Sequence, residues 1–202
     1  MLIGLPTRVP PPKFSPSKER LILKWLEWAE GEDDGTEGLV EPAPGSAYAA
    51  RLHLAAKYKA DTPKSAPPDG IRITWAGVEA NETLQKSVAT YTDAWEQLYK
   101  VANFKYKFSA DGLKQYWSIP LDEDSRDLTA FWTPKGLYRF TRLVMGTKNA
   151  ATIAQNAYTD AIHRDLPVQY RPNLTNFADD YLGGADEIEG SGGLLDVFRG
   201  FL

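Results

Sequence analysis

Apolar residues at Leu21, Ile22, Trp25, Leu26 and Ala29 recur at helical spacing and predict an amphipathic helix over roughly 16–30. Pro16 suits its first position and Ser15 its cap. The acidic run 31–38 then reads as a solvated turn, and EPAPGS (41–46) as a second break. Residues 47–58 and 71–75 read as two strands joined by a polar, Pro- and Gly-rich connection, a projection with a basic-edged tip. Thr90 and Asp93 resemble a capping box for a helix through about Val101, with Trp95, Leu98 and Val101 on one face. Strict alternation over 105–111 predicts a strand that ends on a carboxylate, and 113–118 a short helical turn. Segments 128–133 and 137–143 flank Pro-Lys-Gly and predict a hairpin. Ala150, Ile153, Ala154, Ala157, Tyr158, Ala161 and Ile162 trace the strongest helical stripe, over roughly 148–165. Strand-like runs 174–178 and 181–185 meet at Asp179-Asp180, and a last helix begins near Leu194. The apolar ending Phe201-Leu202 carries no helix stop signal, so a truncation is expected. No internal repeat is visible.

Composition narrows the class. The 202 residues hold 23 Lys and Arg against 27 Asp and Glu, a net charge of −4, with 43% hydrophobic and 25% charged residues. Such a chain builds a core, which excludes a disordered tail, a collagen-like rod and a coiled coil. The absence of cysteine excludes a disulfide scaffold, an iron–sulfur centre and a thiolate zinc site. No apolar run approaches the roughly 18 residues of a membrane span. Prolines break the short apolar start, MLIGLPTRVPPPK, so no signal peptide is expected.

The chemistry concentrates in the second half. Adjacent carboxylates in Phe177-Ala178-Asp179-Asp180 repel each other and lose solvation among apolar strand residues unless something compensates them. Asp111 also ends a strand. If the two strand ends lie side by side, three carboxylates converge, and hard oxygen ligands favour Mg²⁺. Two such ions about 3.5–4 Å apart suit an in-line phosphoryl transfer. The bland alternative is a solvated Asp-Asp turn. A rival acidic cluster, 122–124, reads as an exposed turn. Between Tyr99 and Lys148 nine basic residues face five acids, with eight aromatics among them, from Tyr106 to Phe140. A basic strip with aromatics suits a phosphate-backbone groove, although most of these aromatics taken singly read as core.

These residues carry a resemblance. SADGLKQYWSIPLDEDSRDLTAF (109–131), TPKGLYRFTRLVMGTKNAATIAQ (133–155) and NFADDYLGGAD (176–186) resemble, in order, successive motifs of reverse transcriptases, and within them those of gypsy-type LTR retrotransposon Pol polyproteins. Residues 36–104 are similar to the fingers segment more loosely. The resemblance implies an α+β fold: a polymerase palm, an antiparallel sheet with helices on one face, plus fingers, truncated before the thumb. It divides the chain into an N-terminal arm and helix (1–35), a fingers-like segment (36–104) and a palm incomplete at its C-terminal end (105–202).

The implied activity is RNA-directed DNA polymerisation: two-metal, template-directed nucleotidyl transfer from a dNTP to a primer 3′-hydroxyl. Asp111, Asp179 and Asp180 resemble the catalytic acids, holding two Mg²⁺ ions, with Mn²⁺ as an alternative, and the Gly112 carbonyl is placed beside them. Tyr116 matches the steric gate against a ribose 2′-hydroxyl. Met145 and Gly146 stand where the family lines the incoming nucleotide, Arg72 resembles a triphosphate contact (Lys57 and Lys59 more weakly), and Gln155 matches a position that reaches template or faces water. The usual fingers pattern departs here, reading Ala76-Gly77-Val78-Glu79-Ala80-Asn81 without its basic residue. Implied partners are an RNA or DNA template with primer, dNTP, and the thumb, connection and RNase H parts of a polyprotein, with no membrane. The implied location is intracellular, in a cytoplasmic particle or the nucleus, and not secreted. The alternative is a catalytically inactive truncated remnant that at most binds nucleic acid.

Overall fold

The computed structural model describes residues 5–31, 38–56, 71–87, 93–112, 114–177 and 180–201, with backbone alone at 55, 56, 71, 72 and 201. Most of the acidic run, the tip 57–70, Thr90 and Asp179 lie outside the described residues. The chain is α+β and groups into two compact units: Met1–Lys86 with Tyr116–Ala150, and Ser87–Gln115 with Ala151–Leu202. Neither is continuous in sequence, so the units cut across the linear segments expected at 36–104 and 105–202. The reason is pairing at long range: strand β1 (Val40–Pro42) bonds to β6 (Gly136–Phe140), which also bonds to β5 (Phe131–Thr133), all antiparallel.

In the first unit, helix α1 (Pro16–Ala29) starts at the expected place, with the Ser15 hydroxyl accepting from the Lys18 amide. Its stripe Ile22, Trp25, Leu26 and Ala29 is buried. Trp25 meets Phe131 and Phe140 at ring-centroid distances of 6.2 and 6.1 Å, and those two rings lie 4.8 Å apart. Fully burying one such side chain contributes about 1.5–3 kcal/mol, so this aromatic cluster holds helix to sheet. Strands β2 (Arg51–Ala56) and β3 (Ile71–Ala76) form the expected antiparallel ribbon, followed by the short helix α2 (Val78–Glu82). The segment before α1 is pinned as well. The Val9 amide donates to the Ala49 carbonyl, and the Trp132 indole donates to the Val9 carbonyl at 2.7 Å.

In the second unit, helix α3 (Ala94–Ala102) precedes strand β4 (Tyr106–Asp111). Asp93 is itself the N-cap, accepting from the Trp95 amide, where the sequence predicts it inside the helix. The predicted inward face also differs. Gln97 and Val101 are buried, whereas Trp95 is 64% and Leu98 43% exposed. The Gln97 carboxamide is drawn inward by the Thr175 hydroxyl, which donates to it. In the first unit a one-turn helix, α4 (Glu123–Arg126), leads into β5. Helix α5 (Ala150–Asp165), strands β7 (Leu174–Phe177) and β8 (Asp180–Ala185), and helix α6 (Leu194–Phe201) complete the chain.

The second sheet has the order β4-β8-β7, antiparallel throughout. Alternation puts Phe108, Tyr181, Gly183 and Asn176 on one face and Asp111, Asp180, Leu182 and Thr175 on the other. Helices α5 and α6 meet the first face, through Tyr158 on Tyr181 (6.0 Å) and Phe198 on Phe108 (5.1 Å). Helix α3 reaches the second through Gln97 and Thr175, so the helices are shared between faces and not confined to one. Gly183 makes the close packing of the first face workable: a Cβ there would stand 2.1 Å from the Phe108 ring. Among the described residues no helix is long and apolar enough to cross a membrane.

Candidate active site

Strand β4 exposes Lys107, Ser109 and Asp111 and half-buries Tyr106, Phe108 and Ala110, so pleat alone delivers the Asp111 carboxylate to solvent at the strand end. Strand β8 begins on Asp180, and the register sets Asp111 directly opposite Asp180. Directly opposed residues of an antiparallel pair share a face, with Cβ atoms about 5 Å apart. Both side chains are exposed. The sheet therefore brings two of the three predicted acids together at one open end. Asp179 falls between Phe177, which pairs with Asp180, and Asp180 itself, outside the described residues. Gly112 follows β4 and is half-buried. Among the described residues no group of three metal-capable side chains occurs.

Behind the acids the sheet is held by buried polar side chains. Gln155 of α5 is 7% exposed, and its Nε2 donates to the Asn176 carbonyl at 3.2 Å and to Thr159 at 3.2 Å. The Thr159 hydroxyl donates to the Asn176 Oδ1. Gln155 lies off the apolar stripe of α5 and is buried, bonding to β7. Gln115 Nε2 donates to the Tyr181 hydroxyl at 3.3 Å, and the Tyr158 hydroxyl donates to the Gln115 carbonyl at 2.8 Å. Burial, as the largest cause, pushes the Tyr181 phenol up to about 12. It remains a neutral hydrogen-bonding group at neutral pH. The Asn176 Nδ2 is buried and has no partner among the described residues.

The residues predicted to meet the nucleotide belong to the first unit. Tyr116 is half-buried in a 3₁₀ turn, Gln115–Ser118, and Met145 is 38% exposed. Gly146 has φ +107°, and a Cβ on it would lie 2.3 Å from the Trp75 carbonyl oxygen. Glycine is required there both by backbone conformation and by this close approach. Arg72 pairs with Ala55 in the β2–β3 ribbon. Its side chain, with Lys57 and Lys59, lies outside the described residues. Asn81, which sequence reasoning left without a role, bonds to the Gly146 carbonyl at 2.7 Å. No local signal marks it, since an Asn near the end of a short helix ordinarily reads as a terminator.

The basic strip is largely occupied within the chain. Arg139 bonds Glu41 at 2.6 Å, Asp127 at 2.9 Å and Glu123 at 2.9 Å, and Arg126 joins Glu41 at 3.3 Å. Desolvation lowers the Arg139 pKa, but the hydrogen bonds to Asp127, Glu41 and Glu123 outweigh it, so the net shift is upward and the charge is fixed. Lys135 bonds Glu30. Glu123 of the rival acidic cluster is spent on Arg139. Phe131, Tyr138 and Phe140 are core residues, not groove aromatics.

Comparison with known proteins gives the same direction as the motifs. The family described as Reverse transcriptase (RNA-dependent DNA polymerase) matches residues 71–202. The chain is 32% identical over 111 residues to the Retrovirus-related Pol polyprotein from transposon 412 of Drosophila melanogaster, covering 53% of this chain and 9% of that protein. Its fold is similar to the crystal structure of native Prototype Foamy Virus Protease-Reverse Transcriptase, with a TM-score of 0.69 and 22% identity over 91% of this chain and 22% of that one. It is similar also to the foamy viral protease-reverse transcriptase in complex with RNA/DNA hybrid, with a TM-score of 0.69 and 18% identity over 93% of this chain and 22% of that one. The chain therefore spans under a quarter of the length of each of these relatives.

Proposed function

The chain belongs to the reverse transcriptase family, and from that premise we propose that it carries the catalytic acids and nucleotide-lining residues of template-directed nucleotidyl transfer. The supporting observation is the β4–β8 register, which sets Asp111 opposite Asp180 on an exposed strand end. Two like charges in direct cross-strand opposition destabilise a sheet unless a cation joins them. Their hard, exposed oxygens fit Mg²⁺ or Mn²⁺. Asp111, Asp179, Asp180 and the Gly112 carbonyl are the groups that would hold such ions. When bound, they supply Lewis-acid charge to the phosphoryl group and the reacting oxygens.

The chain's own residues divide the remaining work. The primer 3′-oxygen bonds to the dNTP α-phosphorus as the bond to the bridging oxygen breaks, so pyrophosphate leaves and the hydroxyl proton passes to solvent. Met145 presents a soft apolar surface to base and sugar, and the Gly146 backbone lies beside it. Tyr116 excludes a 2′-hydroxyl by collision. Arg72 meets the triphosphate. Gln155 acts on β7 from behind and holds the acid-bearing hairpin in place. A gypsy-type LTR retrotransposon origin fits the same motifs.

Primer extension by the purified chain, with template, dNTP and Mg²⁺, tests this reading beside a salt-dependent binding assay. Extension lost in Asp111→Asn with binding retained is the expected result. Extension that survives the substitution overturns the assignment. Binding without extension in the wild type supports instead a remnant that grips nucleic acid only.

A further inference from the structure

The short helix α2 sits one residue after Gly77, and its Asn81 spends both ends of its carboxamide on one distant turn. Nδ2 donates to the Gly146 carbonyl at 2.7 Å, and Oδ1 accepts from the Lys148 backbone amide at 2.7 Å. The orientation is chemically determined. A carbonyl only accepts and an amide N–H only donates, so a flipped carboxamide would oppose like groups at both ends. Two further bonds tie the same turn to the residues after α2. Lys148 Nζ donates to the Leu84 carbonyl at 2.7 Å, and Asn149 Nδ2 donates to the Gln85 carbonyl at 2.9 Å.

The turn is limited from a second direction. The Trp75 carbonyl leaves no room for a side chain at Gly146. Trp75 is itself only 3% exposed, its indole lies where a Gly77 Cβ would be, and its Nε1 donates to the Ala130 carbonyl. A buried tryptophan on one side and a two-headed amide on the other constrain the backbone of 146–148. Neighbouring Met145 is left partly exposed beside this constrained backbone.

We propose that Asn81 is a positioning residue that sets the Met145–Gly146 backbone for the incoming dNTP. This rests on the reading that these two residues line the nucleotide. Asn81 stands in the segment where the usual fingers pattern departs, and its amide acts through the turn and not on the triphosphate.

The test uses the 202-residue chain with a primer–template whose primer ends in a dideoxynucleotide, so that dNTP binds without reacting. Asn81→Asp keeps the acceptor for the Lys148 amide and turns a carboxylate toward the Gly146 carbonyl. Asn81→Ala removes both bonds. Each is expected to weaken dNTP binding to the ternary complex about tenfold, the size of one or two net hydrogen bonds. Primer–template affinity without dNTP should stay within about twofold of wild type. Amide exchange should report the geometry separately: Lys148 stays protected in Asn81→Asp and loses protection in Asn81→Ala. Unchanged dNTP affinity in Asn81→Asp, or Lys148 exchange unaltered in Asn81→Ala, overturns the inference. So does an equal loss of primer–template and dNTP binding, which marks a direct nucleic-acid contact. A wild-type chain that forms no dNTP-dependent complex overturns the polymerase reading, and this inference with it.

Discussion

If Asp111 and Asp180 face each other for the sake of a cation, they should burden the metal-free fold. Two unit charges about 5 Å apart repel by about 1 kcal/mol at the dielectric of water and by about 3 kcal/mol at an effective value near 20. Both carboxylates are exposed, so the lower figure applies. Asp180→Asn keeps the side-chain shape and removes the repulsion. In chelator-treated protein at about 0.01 M ionic strength it should stabilise the second unit by about 1 kcal/mol, or about 2–4 °C in melting midpoint for a chain of this size. At about 1 M salt the screening length falls to about 3 Å and most of the gain should vanish. Mg²⁺ should reverse the order, because a cation that binds only the folded acids raises the wild-type midpoint and raises that of the variant less. Circular-dichroism melts across the two salt levels, with and without Mg²⁺, measure all three effects. A variant that melts at or below wild type in low salt without metal would refute the electrostatic argument, and so would a gain indifferent to salt.

Gln155→Met should cost about 1–3 kcal/mol in denaturant unfolding, because the Asn176 carbonyl loses a buried donor. Amide exchange should quicken along β7, and a cost below about 0.5 kcal/mol, typical of surface changes, would count against the anchoring role. Burial first, then the hydrogen bond to Glu30 and its charge, push the Tyr138 phenol from its ordinary 10 up to about 12. A raised folded value means that the associated stability is whole below pH 10 and is lost as pH climbs from 10 to about 12. The urea midpoint should fall across that window and fall less in Tyr138→Phe, and equal falls in both proteins would reject the assignment.

Much of the fold was legible because its signals are local. The α1 stripe, the Pro-Lys-Gly hairpin, the α5 stripe and the strand pair around Asp179-Asp180 each follow a period that one segment carries by itself. The failures share a cause: partners chosen from far along the chain. Of the predicted face Trp95, Leu98 and Val101, only Val101 is buried, while Trp95 and Leu98 are exposed and polar Gln97 is buried, because Thr175 supplies its partner. The strip around Arg139 looks like a groove until Glu41, 98 residues away, is seen to bind it. Asn81 and Gly146 are separated by 65 residues, and nothing in the composition of either neighbourhood announces their bond. At the acids, spacing supplied the residue types, and strand register supplied the opposition of Asp111 with Asp180.

The pairing of Val40 with Phe140, 100 positions apart, sets a timetable for biosynthesis. At roughly 5–20 residues per second, a ribosome needs about 5–20 s after releasing β1 to deliver its mate. Through that interval β1 has an open edge, and the apolar stripe of α1 has no aromatic sheet to cover it. Nascent chains would therefore be most vulnerable to misassociation then, and most dependent on chaperones, before β6 has emerged.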